Sequence, residues 1–366
     1  MIISHLSLTD YRGYKKQDIV FGKGINFLVG NNGSGKTNLL EAIYFLTLAK
    51  SYKTTDNSVI RFEKDFARIQ AKIIDRLLFE PKIIITKIGK KIIVNNKEID
   101  KLSDFLGQVK ILAFLPEDMD LLKGPPKNRR FLLDMIIGQM DRNYLLELTQ
   151  YKNILKQRNE LLKMVSEKRV KDYTLLDIYT EQIASSSEII FKMRKDFISR
   201  INKEIVKMYH YLSANNKKIL LEYKPTLEDD FLNNFKKRYE KDLLFKTTGI
   251  GPHRDDYDFL IDDIYAKDYA SQGEQRIIIL SLLLSIANII YEQKQIMPIL
   301  LLDDVFSELD YLRQNQLIKY LDSVKIQTII TTTNIKEINS AFLKNSKIFN
   351  VSNHFVKEDK TNGQQV

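Results

Sequence analysis

The chain has 366 residues, 44% of them hydrophobic, enough for one large domain or two medium ones. Its 57 Lys and Arg against 47 Asp and Glu leave a formal charge of +10, which suits a polyanionic partner but also follows from a lysine-rich composition. The absence of Cys excludes disulfides and thiolate-bound metals, and the longest apolar run, Ile277 to Ile290, falls short of the roughly 20 residues a membrane span needs.

Residues 1–30 predict strands. IISHLSL alternates, DIVF is short, and INFLV is an apolar run ending at Gly30. From Gly35 the pattern is helical, with Leu39, Ile43 and Leu46 on one face. Residues 82–99 predict a hairpin turning near Gly89-Lys90. The character changes at LPEDMDLLKGPPKNRR, where Pro116, Pro125 and Pro126 punctuate the chain. From Arg129 to Tyr223 charged and apolar residues interleave at helical spacing, which predicts two to four long helices. Pro225 and TTGIGPHRDD mark a return to alternating elements. A strand, a hairpin, a long helix from Ser271, the buried strand PILLLDD, a helix and the strand QTIITTT follow. The expected fold class is α/β: a P-loop ATPase lobe built from both chain ends, with an α-helical insertion. The expected boundaries are 1–120 and 246–356 for the lobe, 121–245 for the insertion, and 357–366 for a disordered tail. No N-terminal basic and apolar leader is evident, so a soluble, cytoplasmic protein without a membrane partner is expected.

Three motifs carry chemistry. GNNGSGKT fits G-x-x-x-x-G-K-[ST] between a strand and a helix. Its loop, Gly30, Asn31, Asn32, Gly33, Ser34 and Gly35, lets backbone N–H groups turn inward around the phosphates of ATP, helped by the positive end of the helix. Lys36 is expected to reach the β- and γ-phosphates, and Thr37 to hold Mg²⁺. In LLLDDVFSELD, two carboxylates end a buried strand, the edge where open α/β sheets bind ligands. Asp303 is expected to steady Mg²⁺, and Asp304 to orient or deprotonate the attacking water. Fast ATPases of this architecture carry Glu at the second position. Asp is one methylene shorter, setting the carboxylate about 1.5 Å back, where a misplacement near ~1 Å can cost ~100-fold. Slow turnover is expected.

The third motif is SQGEQ: Ser271, Gln272, Gly273, Glu274 and Gln275. Ser271 and Glu274 match a capping box, S-x-x-E, which accounts for those two residues locally. A cap needs neither the Gly nor the Gln. A loop lying far from the Lys36 phosphates in its own lobe can grip a γ-phosphate only from a second copy. Two nucleotides would then join a symmetric dimer.

Together these motifs resemble the ATP-binding-cassette ATPases in their SMC-like branch. More narrowly, the chain is similar to the RecF family over nearly its whole length, through INFLVGNNGSGKTNLLEAIYFLTLAKSYKT, FLPEDMDLLKGPPKNRRFLLD, TGIGPHRDD, ASQGEQR and LLLDDVFSELD. The resemblance implies ATP and Mg²⁺ as cofactors, with Ser271 to Gln275 acting in trans and Ser307 to Asp310 crossing the dimer. It also implies an ATP-dependent homodimer on single-stranded and gapped duplex DNA, loading of recombination mediator proteins, and support of DNA repair, replication and the SOS response. By the same analogy Tyr11 and Arg12 touch adenine. Where transporter cassettes carry a switch His after QTIITTTN, this chain has Thr332 and Thr333; where they carry a Gln beside the insertion, it has Glu117 and Asp118.

Basic clusters at the first helix's end and the insertion's start offer DNA phosphate contacts: Lys53, Lys123, Lys127, Arg129 and Arg130, with Lys50 and Tyr52 nearby. The insertion's aromatics, Tyr151, Tyr173, Tyr179, Phe191, Phe197, Tyr209 and Tyr211, are expected in the core. His253 lacks His or Cys companions, so a turn or interface role is expected of it and Arg254. The competing reading is the nucleotide-binding subunit of a membrane transporter. The long insertion, the basic charge and the missing switch His stand against it.

Overall fold

The computed structural model describes residues 1–52, 54–169, 173–335, 338 and 340–359. The chain forms two compact units. The first comprises Met1–Met119, Lys207–Asn216 and the described residues from Ala270 onward; the second comprises the described residues of Asp120–Val206 and Lys217–Tyr269.

The first unit holds two sheets. In one, Ile2–Tyr11 lies between Tyr14–Val20 and Phe66–Ile74, all antiparallel, and the hairpin Pro81–Thr86/Gly89–Val94 extends it. The hairpin pairs Thr86 with Gly89, so its turn is Lys87-Ile88, just before the expected Gly89-Lys90. The other sheet carries the site. Its order is Phe355–Glu358, Lys347–Ser352, Ile25–Val29, Thr328–Thr332, Ile299–Leu302, Ile111–Phe114, and every pairing but the first is parallel. Its central strands are buried along nearly their whole length, as a parallel sheet covered on both faces requires. The P-loop strand and the Asp303 strand are therefore one strand apart, with Thr328–Thr332 between them.

The helix Gln272–Lys294 packs into this unit. It is long and apolar enough to cross a membrane, but 83% of its most apolar window is buried, as in a core helix. The terminal strand runs to Glu358, so residues 357 and 358 are strand and not tail; residues 360–366 lie outside the described residues.

The second unit contains the helices Pro126–Met140 and Arg142–Ser166 and most of Thr174–Ser213. Here the structure corrects the expected boundaries. Asp256–Ile261 pairs antiparallel with Ile219–Lys224 over six registered positions, so residues 217–269 belong to this unit and the lobe resumes at Ala270 instead of 246. The last turns of the long helix, from Lys207, fall in the first unit. Buried ion pairs join the second unit's segments. Arg194 binds Asp134 and Asp255, and Arg158 binds Asp242. Tyr151, Phe191, Phe197 and Tyr209 are buried as expected, Tyr179 is half-buried, and Tyr173 and Tyr211 are exposed, against expectation.

Candidate nucleotide-binding site

The loop after Ile25–Val29 is shaped by its glycines. Gly33 and Gly35 have φ of 79° and 111°, the left-handed region. A Cβ on Gly30 would collide with the carbonyl of Val351; one on Gly35 would lie 2.9 Å from the His354 ring. His354 sits in the turn between the last two strands; its backbone N–H donates to the Ser34 carbonyl (2.9 Å), and its ring meets Tyr14 edge to face. The C-terminal hairpin thus braces the loop from behind.

The loop folds around its own lysine. Lys36 Nζ donates to the carbonyls of Gly30 (2.5 Å) and Asn31 (2.9 Å). Burial lowers its pKa, while Asp303 and Asp304 oppose that shift. Beneath it, Thr37 Oγ1 donates to Asp303 Oδ1 at 3.2 Å. Thr331 donates to the same oxygen at 2.6 Å, and its hydroxyl accepts from Asp304 N at 2.8 Å. Asp304 has a left-handed φ of 50°, and its carbonyl accepts from Arg276 Nη1 at 3.1 Å.

These groups line one open cleft of ≈ 690 Å³. Asn32, Gly33, Gly35, Lys36, Thr37 and Asn38 form one wall; Asp303, Asp304, Thr331 and Pro116 form the other. Two features fit a bound triphosphate with Mg²⁺. Lys36 holds only neutral carbonyls, which phosphate oxygens would outcompete. The buried Ser34 hydroxyl has no hydrogen-bond partner. Among the described residues no three acidic or imidazole groups gather to hold a metal alone, so Mg²⁺ at Thr37 and Asp303 would depend on phosphate oxygens, its usual habit.

Ser271 caps the helix Gln272–Lys294, its Oγ accepting from Glu274 N at 3.3 Å. Glu274 takes the Tyr209 hydroxyl at 3.0 Å. None of the five SQGEQ residues lines the Lys36 cleft.

Several expectations change. Tyr11 is fully buried, and Arg12 is locked in a two-pronged pair with Glu41 (2.9 Å each), so Tyr11 presents no face to adenine. The threonine at the cleft is Thr331; Thr332 donates to the Asn334 carbonyl, and Thr333 is exposed. Sequence reasoning missed Thr331 because only strand order places it beside Asp303. Glu117 is exposed, whereas the Asp118 carboxylate accepts from Leu115 N (2.7 Å), and its enclosure raises its pKa to about 7. Of the basic candidates, Lys53 lies outside the described residues. Lys123 and Lys127 are exposed, and Arg130 donates to the Asp255 carbonyl. Arg129 is buried: it clasps Asp256 through two nitrogens (2.7 and 2.8 Å) and also donates to the Gly124 carbonyl, so its charge is engaged internally.

Residues 2–357 match the family described as RecF/RecN/SMC N terminal domain. The DNA replication and repair protein RecF of Shouchella clausii is 40% identical over 98% of this chain and 99% of its own length. The chain belongs to the RecF family. The RecF of Lactobacillus johnsonii is 39% identical over 96% of this chain and 98% of its own. Among solved structures, that of the recombination mediator protein RecF-ATPrS in the RecFOR pathway superposes with a TM-score of 0.87 at 29% identity, covering 98% of both chains. The Smc head bound to the C-winged helix domain of ScpA, at 17% identity and a TM-score of 0.59, shares the fold (98% of this chain, 97% of that one). The P-loop ATPase fold with a helical insertion is that of RecF.

Proposed function

We propose that this RecF-family chain is an ATP-operated DNA-binding switch of replication and recombinational repair. Mg²⁺-ATP binds one face of the cleft, and Ser271 to Gln275 of a second copy close the other. Nucleotide occupancy and pairing are then linked. The pair assembles on gapped DNA, loads recombination mediators, supports the DNA-damage response, and dissolves on slow hydrolysis. The ATP-bound RecF relative and the family's DNA-repair names support this reading. One observation carries it: Lys36 and Thr37 stand opposite Asp303 and Asp304 in a cleft that SQGEQ does not line.

Each residue has a task. The loop N–H groups and Lys36 hold the phosphates. Thr37 and Asp303 would hold Mg²⁺, which supplies charge neutralisation at the phosphates. Thr331 fixes the Asp303 carboxylate and the Asp304 backbone together. Asp304 orients the water from a retracted position, so hydrolysis is slow. Size-exclusion chromatography with light scattering, with and without ATP, tests the linkage. The wild type becomes dimeric with ATP, whereas Ser271→Arg binds ATP and stays monomeric. A wild type that stays monomeric with saturated nucleotide contradicts it.

A further inference from the structure

The second unit has a cleft of its own, also ≈ 690 Å³. The helix Pro126–Met140 contributes Lys127, Arg130 and Phe131, and the helix Arg142–Ser166 contributes Leu148, Tyr151 and Lys152. Pro252 and His253 close it from the loop before Asp256–Ile261. The lining is mostly carbon, and the Phe131 side chain stands 54% exposed at its edge.

The histidine adds no charge. Burial pushes its pKa down to about 4, so it is neutral near pH 7. Its Nε2–H donates to the Thr248 carbonyl (3.0 Å), which leaves Nδ1 to accept the Tyr151 hydroxyl at 2.5 Å. The two polar tips satisfy each other.

The cations are not matched in this way. Lys127 and Lys152 are exposed and have no ion pair among the described residues, and Arg130 donates to a neutral carbonyl. The acid in the lining, Asp134, is already taken by Arg194 (2.8 Å) and the Tyr144 hydroxyl (2.5 Å). Arg194 is in turn neutralised by Asp134 and Asp255. Two unpaired lysines therefore flank an apolar cleft, while Arg130 lies in the field of Asp134, Asp255 and Asp256.

We propose that this cleft docks an acidic segment of a partner protein, carrying an aromatic or long aliphatic anchor. The anchor fills the cleft beside Phe131, while flanking carboxylates meet Lys127 and Lys152. An apolar centre within a charged rim is how such peptide sites combine affinity with selection. A nucleic-acid strand would satisfy the cations, but it carries charge at every unit, which a carbon-lined cleft does not match. A peptide can separate the two, with carboxylates outside and an uncharged side chain within.

Fluorescence anisotropy on the full chain tests this with three dye-labelled probes: a glutamate-rich peptide with a central Phe-Leu pair, the same peptide with Gly-Gly there, and oligo-dT. The Phe-Leu peptide binds saturably. Lys152→Glu and Phe131→Ser, both at exposed positions that leave the fold intact, each weaken it about ten-fold, and Gly-Gly weakens it similarly. Oligo-dT affinity is unchanged in Phe131→Ser. No saturable peptide binding, equal binding of both peptides, or a loss of oligo-dT binding in Phe131→Ser as large as the peptide's each overturns the proposal. The last outcome would make the cleft a nucleic-acid groove. None of these readouts depends on ATP, so they stand apart from the nucleotide linkage.

Discussion

Asp303 and Asp304 are adjacent in sequence but differ in setting. Asp303 is buried and held by two threonine hydroxyls, while Asp304 is exposed at the cleft with its backbone pinned on both sides. A fixed backbone means that side-chain length alone sets where the carboxylate reaches. Single-turnover assays are expected to show Asp304→Glu hydrolysing faster than wild type and Asp304→Asn nearly inactive, with ATP affinity retained in both. An Asp304→Glu enzyme no faster than wild type contradicts the geometric account. Arg129 gives a stability prediction. Removing it leaves Asp256 unpaired, so Arg129→Ala should cost about 3 kcal/mol in denaturant unfolding. His253 gives a pH dependence. Its pKa is depressed from 6.5 to about 4, so the unfolded chain binds its proton first as pH falls. The stability it confers is complete above pH 6.5 and is lost progressively toward pH 4. In thermal melts across that window, His253→Phe should flatten the decline. Residue identity was legible where a motif spells out local backbone geometry, as at Gly30 to Thr37. It was not legible for Arg129, whose partner lies far along the chain, nor for Tyr11, whose burial depends on a sheet that local pattern does not specify.

At the scale of elements, strand order does what motif spacing cannot. The parallel strand Thr328–Thr332 lies between the P-loop strand and the Asp303 strand, so Thr331 becomes the joint between the two acidic residues. Alternation and apolar runs announced these strands in the sequence, but neither reveals neighbours. The same gap explains the misplaced boundary. TTGIGPHRDD reads as a return to the lobe, yet the strand after it pairs with Ile219–Lys224. The C-terminal hairpin is another element whose place is invisible locally. Because the His354 ring packs against Gly35 and Tyr14 at the P-loop, His354→Ala should weaken ATP binding several-fold in equilibrium titrations while leaving the thermal midpoint nearly unchanged. Unaltered affinity would reduce the hairpin to an edge of the sheet.

At the scale of the whole molecule, the surplus of positive charge and the exposed Lys123 favour contact with a phosphate backbone. DNA affinity should fall steeply with salt, and Lys123→Ala should reduce the slope of log affinity against log salt by about 1. The α/β class and the nucleotide loop followed from pattern and motif, whereas the division into units required the tertiary pairings. The central claim is that each nucleotide is enclosed by two chains, and mixing two inactive variants tests it most directly. Lys36→Met lacks the phosphate grip, and Ser271→Arg lacks the opposing clasp. Alone, each should show no ATP hydrolysis above background. Mixed, they form pairs in which one site combines an intact Lys36 with an intact Ser271 from the other chain, and ATPase activity should reappear. A mixture as inactive as its components, with pairing of the two variants verified, would contradict the account.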